Sequence, residues 1–144
     1  MSTQEQEKRI AEVLEMHRES MVTAFVQYVI KTIPGYKAIP LDEVRAQLRP
    51  SMDALIDSLC RHDTAVLAQF VEDLGRRRLQ AGIPIEAQLG AIRVMREVIN
   101  QHITPALADS AATQAVFQRT LDRRQDMVSN ILTRIYLGSV TDQK

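Results

Sequence analysis

Tryptophan is absent from the 144 residues, and phenylalanine and tyrosine contribute three each. So few rings argue against an aromatic platform for nucleic acid, where bases stack on exposed side chains. Cys60 is the single cysteine, which excludes an intrachain disulfide and a cysteine zinc site. Its neighbours Leu59 and Ile56 predict a buried thiol used as a small hydrophobe. The 18 basic and 18 acidic residues sum to zero formal charge, so bulk electrostatics favour neither nucleic acid nor an anionic membrane. No apolar run reaches the length of a transmembrane helix, and the first ten residues are polar and charged, unlike a signal peptide. A soluble cytoplasmic protein is expected. Glycine and proline number five each and stand at punctuation points, and strand-like alternation is missing. What remains is an all-α chain, most simply a single domain over 1–144. Its length lets it bury roughly 68–70% of its unfolded surface without staples.

Catalytic constellations are missing too. The sequence has no phosphate-binding glycine loop, no HExxH and no GxSxG. No His/Asp cluster suggests a metal, and a buried cysteine is a poor nucleophile. The expectation is a protein that is not an enzyme, with no catalytic and no metal-binding residues.

A long first helix is predicted from about Thr3 to Ile33, with Ile10, Leu14, His17, Met21, Phe25 and Tyr28 forming one stripe. Pro34-Gly35 ends it. A second helix over Leu41–Arg61 turns Val44, Leu48, Met52, Leu55, Ile56 and Leu59 inward. Pro50 is expected either to bend it or to split it. Asp63 or Thr64 caps a third helix carrying Leu67, Phe70, Val71 and Leu74. A fourth runs from about Pro84 to Ile103, with a solvated or interface face of Arg93, Arg96, Glu97 and Asn100. Arg93 and Glu97 are spaced for an i, i+4 pair. Thr104-Pro105 reads as the cap and first turn of a short segment over Ala106–Ala108, and either Asp109 or Ser110 caps a long last helix or the two are continuous. That helix carries Phe117, Leu121, Arg124, Val128, Ile131 or Leu132, and Ile135. The polar residues after Gly138 are expected to fray. Gly75 and Gly90, inside the third and fourth helices, cost about 1 kcal/mol each relative to alanine. Close approach of crossing helices accounts for them.

The stretch FVEDLGRRRLQAGIPIEAQLGAIRVM, residues 70–95, organises the rest. Gly82 suits a left-handed helix cap, and Pro84 suits the first turn of the next helix. Arg76, Arg77 and Arg78 lie in the last turn before the glycine, where the helix dipole favours cations. Arg76 and Arg77 read as solvated. Arg78 lies one turn beyond Leu74, on the side facing the core. There it must snorkel, find an acid or meet a bound anion.

The run LGRRRLQAGIPIEAQLGAIRVM resembles the N-terminal sensor domain of RsbR-type regulators, the RsbT co-antagonists of the stressosome. It is more distantly similar to the globin-coupled sensors. The resemblance is strongest over residues 70–100. It implies a globin-like bundle of about five to six helices, usually without haem, with long first and last helices. In globin-coupled sensors a haem-ligating histidine stands four residues before the turn glycine. Gly82 is that glycine here, so Arg78 occupies the ligand position, and an always-charged guanidinium is no ordinary axial ligand. The resemblance therefore implies no cofactor, a homodimer through the first and last helices, and a signal passed along the last helix. That helix normally continues into an output domain, absent from this sequence, which reads as a fragment or a stand-alone module. Stress-signalling proteins are the implied partners. A small apolar or acidic ligand meeting Arg78 is a further expectation. Two alternatives stay open: a haem-based gas or redox sensor using His17, His62 or His102, and a ligand-free dimerisation scaffold.

Overall fold

The computed structural model describes residues 2–142, with side chains to Gly138. Five α-helices succeed one another: α1 Thr3–Thr32, α2 Leu41–Arg61, α3 Thr64–Gln80, α4 Ile85–Ala106 and α5 Ala111–Asp142. One 3₁₀ turn, Tyr36–Ala38, lies between α1 and α2, and no strand occurs among the described residues. The architecture is an all-α bundle consistent with a globin-like arrangement. No described helix is long and apolar enough to cross a membrane.

Caps set the boundaries. Ser2 accepts from the Glu5 amide, Asp63 from the Ala65 amide and Ser110 from the Thr113 amide, each relieving an N–H that the first turn leaves unpaired. Pro50 does not split α2, which is continuous with the proline on its exposed side. The predicted break at Thr104-Pro105 does not occur either, because α4 runs through Pro105 to Ala106. Ile103 and Leu107, one turn apart, are both fully buried. Their burial holds the chain on its helical path past the proline. The polar tail after Gly138 stays helical as far as Asp142, and the fraying expected at Gln143 and Lys144 lies outside the described residues.

The core is the one the stripes predict, with additions. Ile10, Leu14, Met21 and Phe25 are buried, as are all six inner residues of α2. Tyr28 is exposed instead, and Val22, Val26 and Val29 take the inward positions of α1. Helix α1 lies between α2 and α4, while α3 packs chiefly on α5. At the α3–α5 seam a Cβ on Gly75 would stand 2.9 Å from Leu132 Cδ2 and 3.1 Å from Ile135 Cδ1. Close approach therefore explains Gly75. It does not explain Gly90, whose Cβ would meet only Ile33 Cδ1, at 3.9 Å.

Charge clamps α1 to α2. Arg18, 15% exposed, reaches Glu15 Oε1 at 2.6 Å, Asp53 Oδ1 at 2.9 Å and Asp57 Oδ1 at 2.6 Å. Beside it Arg49 joins Glu19 and Asp53. The hydrogen bond from Arg18 holds the Glu15 carboxyl below its ordinary pKa. The fourth helix is clamped to the fifth where the sequence suggested a solvated or interface face. Arg96 pairs with Asp122, and Gln118 Nε2 donates to Asn100 Oδ1 at 2.7 Å. The expected Arg93–Glu97 pair is not made, and both side chains are exposed.

Substitutions at these seams separate packing from charge. Gly90→Ala should stabilise by up to about 1 kcal/mol, the helix-propensity difference. Gly75→Leu should destabilise by about 1–3 kcal/mol through overpacking. Urea titrations of both variants measure this, and equal effects would contradict the seam at Gly75. Arg18→Met should cost about 1–3 kcal/mol at neutral pH, because charge-assisted bonds are lost and three carboxylates are left facing one another. The wild-type contribution is present above the carboxylate pKa range and is lost as pH falls through it. The stability gap between the two proteins should therefore narrow on acidification toward about pH 4. A gap independent of pH would rule out the ionic origin.

Candidate functional site

Helices α3 and α4 are consecutive, yet they touch little. Because α3 rests on α5 through Gly75, an apolar gap opens between it and α4. The gap is a cavity of about 60 Å³. Phe70, Val71 and Leu74 line it from α3, Ala91, Ile92 and Met95 from α4, and Val128 and Leu132 from α5. Phe25 and Leu55 close it from the α1–α2 side.

Arg78 stands where this cavity meets an outer groove, and it lines both. The groove runs along Ile33–Tyr36 and past Pro84. The backbone around Arg78 is fixed by the helix terminus. Gly82 takes φ +78°, its N–H bonds the Leu79 carbonyl at 3.0 Å, and the Ile83 N–H bonds the Arg78 carbonyl at 3.0 Å. This pair of bonds is a Schellman cap, which needs a left-handed residue at Gly82. The Arg78 side chain is half-buried, and no carboxylate, carbonyl or hydroxyl of a described residue accepts from it. Glu86 also lines the groove but forms no ion pair with it. Arg76 and Arg77 are exposed, as the sequence suggested.

Two glutamines that periodicity did not single out also line the cavity. Gln88 is 4% exposed. Its Nε2 donates to Tyr136 Oη at 2.5 Å, and that hydroxyl donates to the Ile83 carbonyl at 2.6 Å. This relay ties the turn after α3, the start of α4 and the end of α5 together. Gln125 is 5% exposed, and its amide has no partner among the described residues. Both fall on apolar stripes, Gln88 three residues after Ile85 and Gln125 four after Leu121. That spacing was the available signal.

None of the three histidines lines the cavity. His17 and His102 meet edge to face between α1 and α4, their centroids 6.2 Å apart. His102 Nδ1 is bonded to the Val98 carbonyl at 2.9 Å. His62 is exposed at the α2–α3 junction with positive φ, and its Nε2 lies 3.7 Å from Glu7. Cys60 is half-buried rather than buried, with Sγ 3.9 Å from the Ala11 carbonyl. Burial pushes its thiol up to about 11, which suppresses the nucleophilic thiolate.

The described residues thus form an all-helical fold with an apolar cavity edged by the half-buried Arg78. The family described as the RsbT co-antagonist protein rsbRD N-terminal domain matches residues 19–142. The chain belongs to this family, and so is a sensor domain of stress-signalling regulators. No curated protein and no solved structure matches the chain significantly.

The relay at Tyr136 yields a direct test. Tyr136→Phe leaves the Gln88 amide and the Ile83 carbonyl without their partner, which should cost about 1–3 kcal/mol. Hydrogen exchange should accelerate first at Ile83 and the end of α5. Unchanged exchange there would show that the relay does not hold the turn to the last helix.

Proposed function

We propose that this chain is the signal-input domain of a bacterial stress-response regulator, acting as a homodimer that passes a shift through its last helix. The observation that carries this reading is the make-up of the cavity wall. Gln125, Val128 and Leu132 of α5 face the same cavity as Arg78 and the α3 side chains. Whatever occupies or empties that space bears directly on α5. A ligand moves such an equilibrium only by binding two arrangements with different affinity.

The dimer reading is supported by what α1 and α5 leave uncovered. Met16 is 78% exposed and Leu137 61% exposed. A shallow outer groove on α5 runs past Met127 between Arg123 and Arg134. In the full-length regulator, an output domain and other stress-signalling proteins are the partners on this reading. The haem-based alternative has less support, since Arg78 stands at the cavity mouth and all three histidines lie elsewhere. The scaffold alternative lacks a role for an unpaired guanidinium beside an apolar cavity.

Sedimentation velocity at tens of micromolar tests the dimer, with oxidative crosslinking of Arg134→Cys in a Cys60→Ser background to place α5 in the interface. A dimer that crosslinks through α5 is the expected result. A monomer throughout, or a dimer that never crosslinks there, would reject signalling through paired last helices.

A further inference from the structure

Arg78 borders two spaces, and the larger lies outside the core. The internal cavity measures about 60 Å³, whereas the outer groove measures about 610 Å³. Small-molecule sites span roughly 300–1,000 Å³, so the groove has the room that the cavity lacks. Two connecting segments supply most of its lining. Between α1 and α2, Gly35 takes φ +100° and the Ile39 N–H bonds the Tyr36 carbonyl at 3.1 Å. Between α3 and α4, the cap at Gly82 and the bond from Tyr136 to the Ile83 carbonyl fix the chain. Both walls are therefore held in place beforehand, which lowers the cost of binding.

The walls are apolar and largely made of rings and branched chains: Ile33, Pro34, Tyr36 and Ile39 on one side, Ile83 and Pro84 on the other. Gly90 of α4 lines the groove as well. A glycine inside a helix is destabilising relative to alanine, and packing does not require this one, because its Cβ would meet only Ile33 Cδ1, at 3.9 Å. The missing side chain leaves space beside Ile33, within the groove.

We infer that this groove binds an aromatic monocarboxylate. The inference rests on the input-domain reading and names the class of signal. A carboxylate matches the planar donor fork of Arg78, which is half-buried and has no acceptor among the described residues. The rings of Pro34, Tyr36 and Pro84 offer a rigid apolar surface to an aromatic body. Glu86 lines the same groove, so a second negative charge on the ligand would be repelled, which selects a monoanion over a dianion. Fourteen described residues line the groove. A specific protein interface uses roughly 20–30 a side, so the groove suits a small molecule better than a protein partner.

Isothermal titration calorimetry of the intact domain tests the inference with 1-naphthylacetate, the neutral alcohol of the same skeleton, 1-naphthylmalonate and octanoate. Amide NMR shifts locate the site. The naphthylacetate should bind at least tenfold tighter than each of the other three and move the amides of Gly35, Tyr36, Ile83 and Gly90. Arg78→Met should erase its advantage over the alcohol. Gly90→Leu should weaken it at least tenfold by filling the space beside Ile33. Glu86→Gln should narrow the gap between naphthylacetate and naphthylmalonate. Circular dichroism and urea unfolding of each variant keep misfolding apart from lost binding. The inference is overturned by an alcohol or octanoate that binds as tightly as naphthylacetate, by naphthylacetate that binds Arg78→Met or Gly90→Leu as well as wild type, by shifts confined to other faces, or by no binding of any probe. A protein that binds none of the probes yet crosslinks as a dimer through α5 would lose this ligand class while keeping the input-domain reading.

Discussion

The contact on which the rest of the structure depends is the seam of α3 on α5 at Gly75. A glycine there lets the two backbones approach until Leu132 and Ile135 fill the place of a side chain. Helix α3 is thereby committed to α5, and it cannot also pack on α4. The remaining helices form a conventional core around α1, dense with fully buried Phe25, Leu14, Met21 and Ile99. The cavity is the geometric remainder of these two commitments. Interiors are otherwise packed like organic crystals, so the gap between α3 and α4 marks where the helices are least locked.

Charge is distributed by the same division. The α1–α2 face pairs its arginines, with Arg18 and Arg49 sharing four carboxylates. Arg9 likewise meets Asp109 at 2.5 Å and ties the start of α1 to the α4–α5 loop. Near the cavity the arginines are left over. Arg78 has no acceptor among the described residues, and on α5 the Arg124 Nε is buried without one. Burial, with Arg123 adjacent, pushes the Arg124 pKa down. A zero formal charge thus conceals a paired, rigid side and an unpaired side. The Arg78 and Arg124 side chains are both half-buried, and holding an unpaired cation partly away from water costs free energy.

Much of this was legible in the sequence because it obeys simple periodicities. The five long helices, the inner face of α2 and the left-handed cap at Gly82 arise from apolar spacing and glycine or proline punctuation. Arg78 was visible as an inward cation because it continues the line through Leu74. The failures share a cause: tertiary burial overrides local signals. Thr104-Pro105 looks like a helix start, yet buried Ile103 and Leu107 carry the helix across it. Arg96 lies on a face that reads as solvated or interface, and Asp122 on α5 makes it an interface. Gln88 and Gln125 sit on the right spacings but carry the wrong polarity for a stripe, so an apolar reading passes over them. Their roles depend on α4 and α5 facing each other in one register, which no local pattern encodes.

The size of the cavity limits how such a domain can signal. An empty space of about 60 Å³ costs about 1.4 kcal/mol at the rate measured for core cavities. Filling it with apolar atoms returns no more than that, about a tenfold change in an equilibrium. Moving a two-state element from almost wholly off to almost wholly on needs about 10⁴-fold. Apolar filling alone would give a graded bias. A decisive shift requires a further interaction that differs between the two arrangements. Arg78 is placed to supply it, because its backbone is held by the Schellman cap while the next turn is bonded through Tyr136 to α5. An anion drawn to the guanidinium would act on the one segment that is covalently next to α3, hydrogen-bonded to α4 and tied to the last helix.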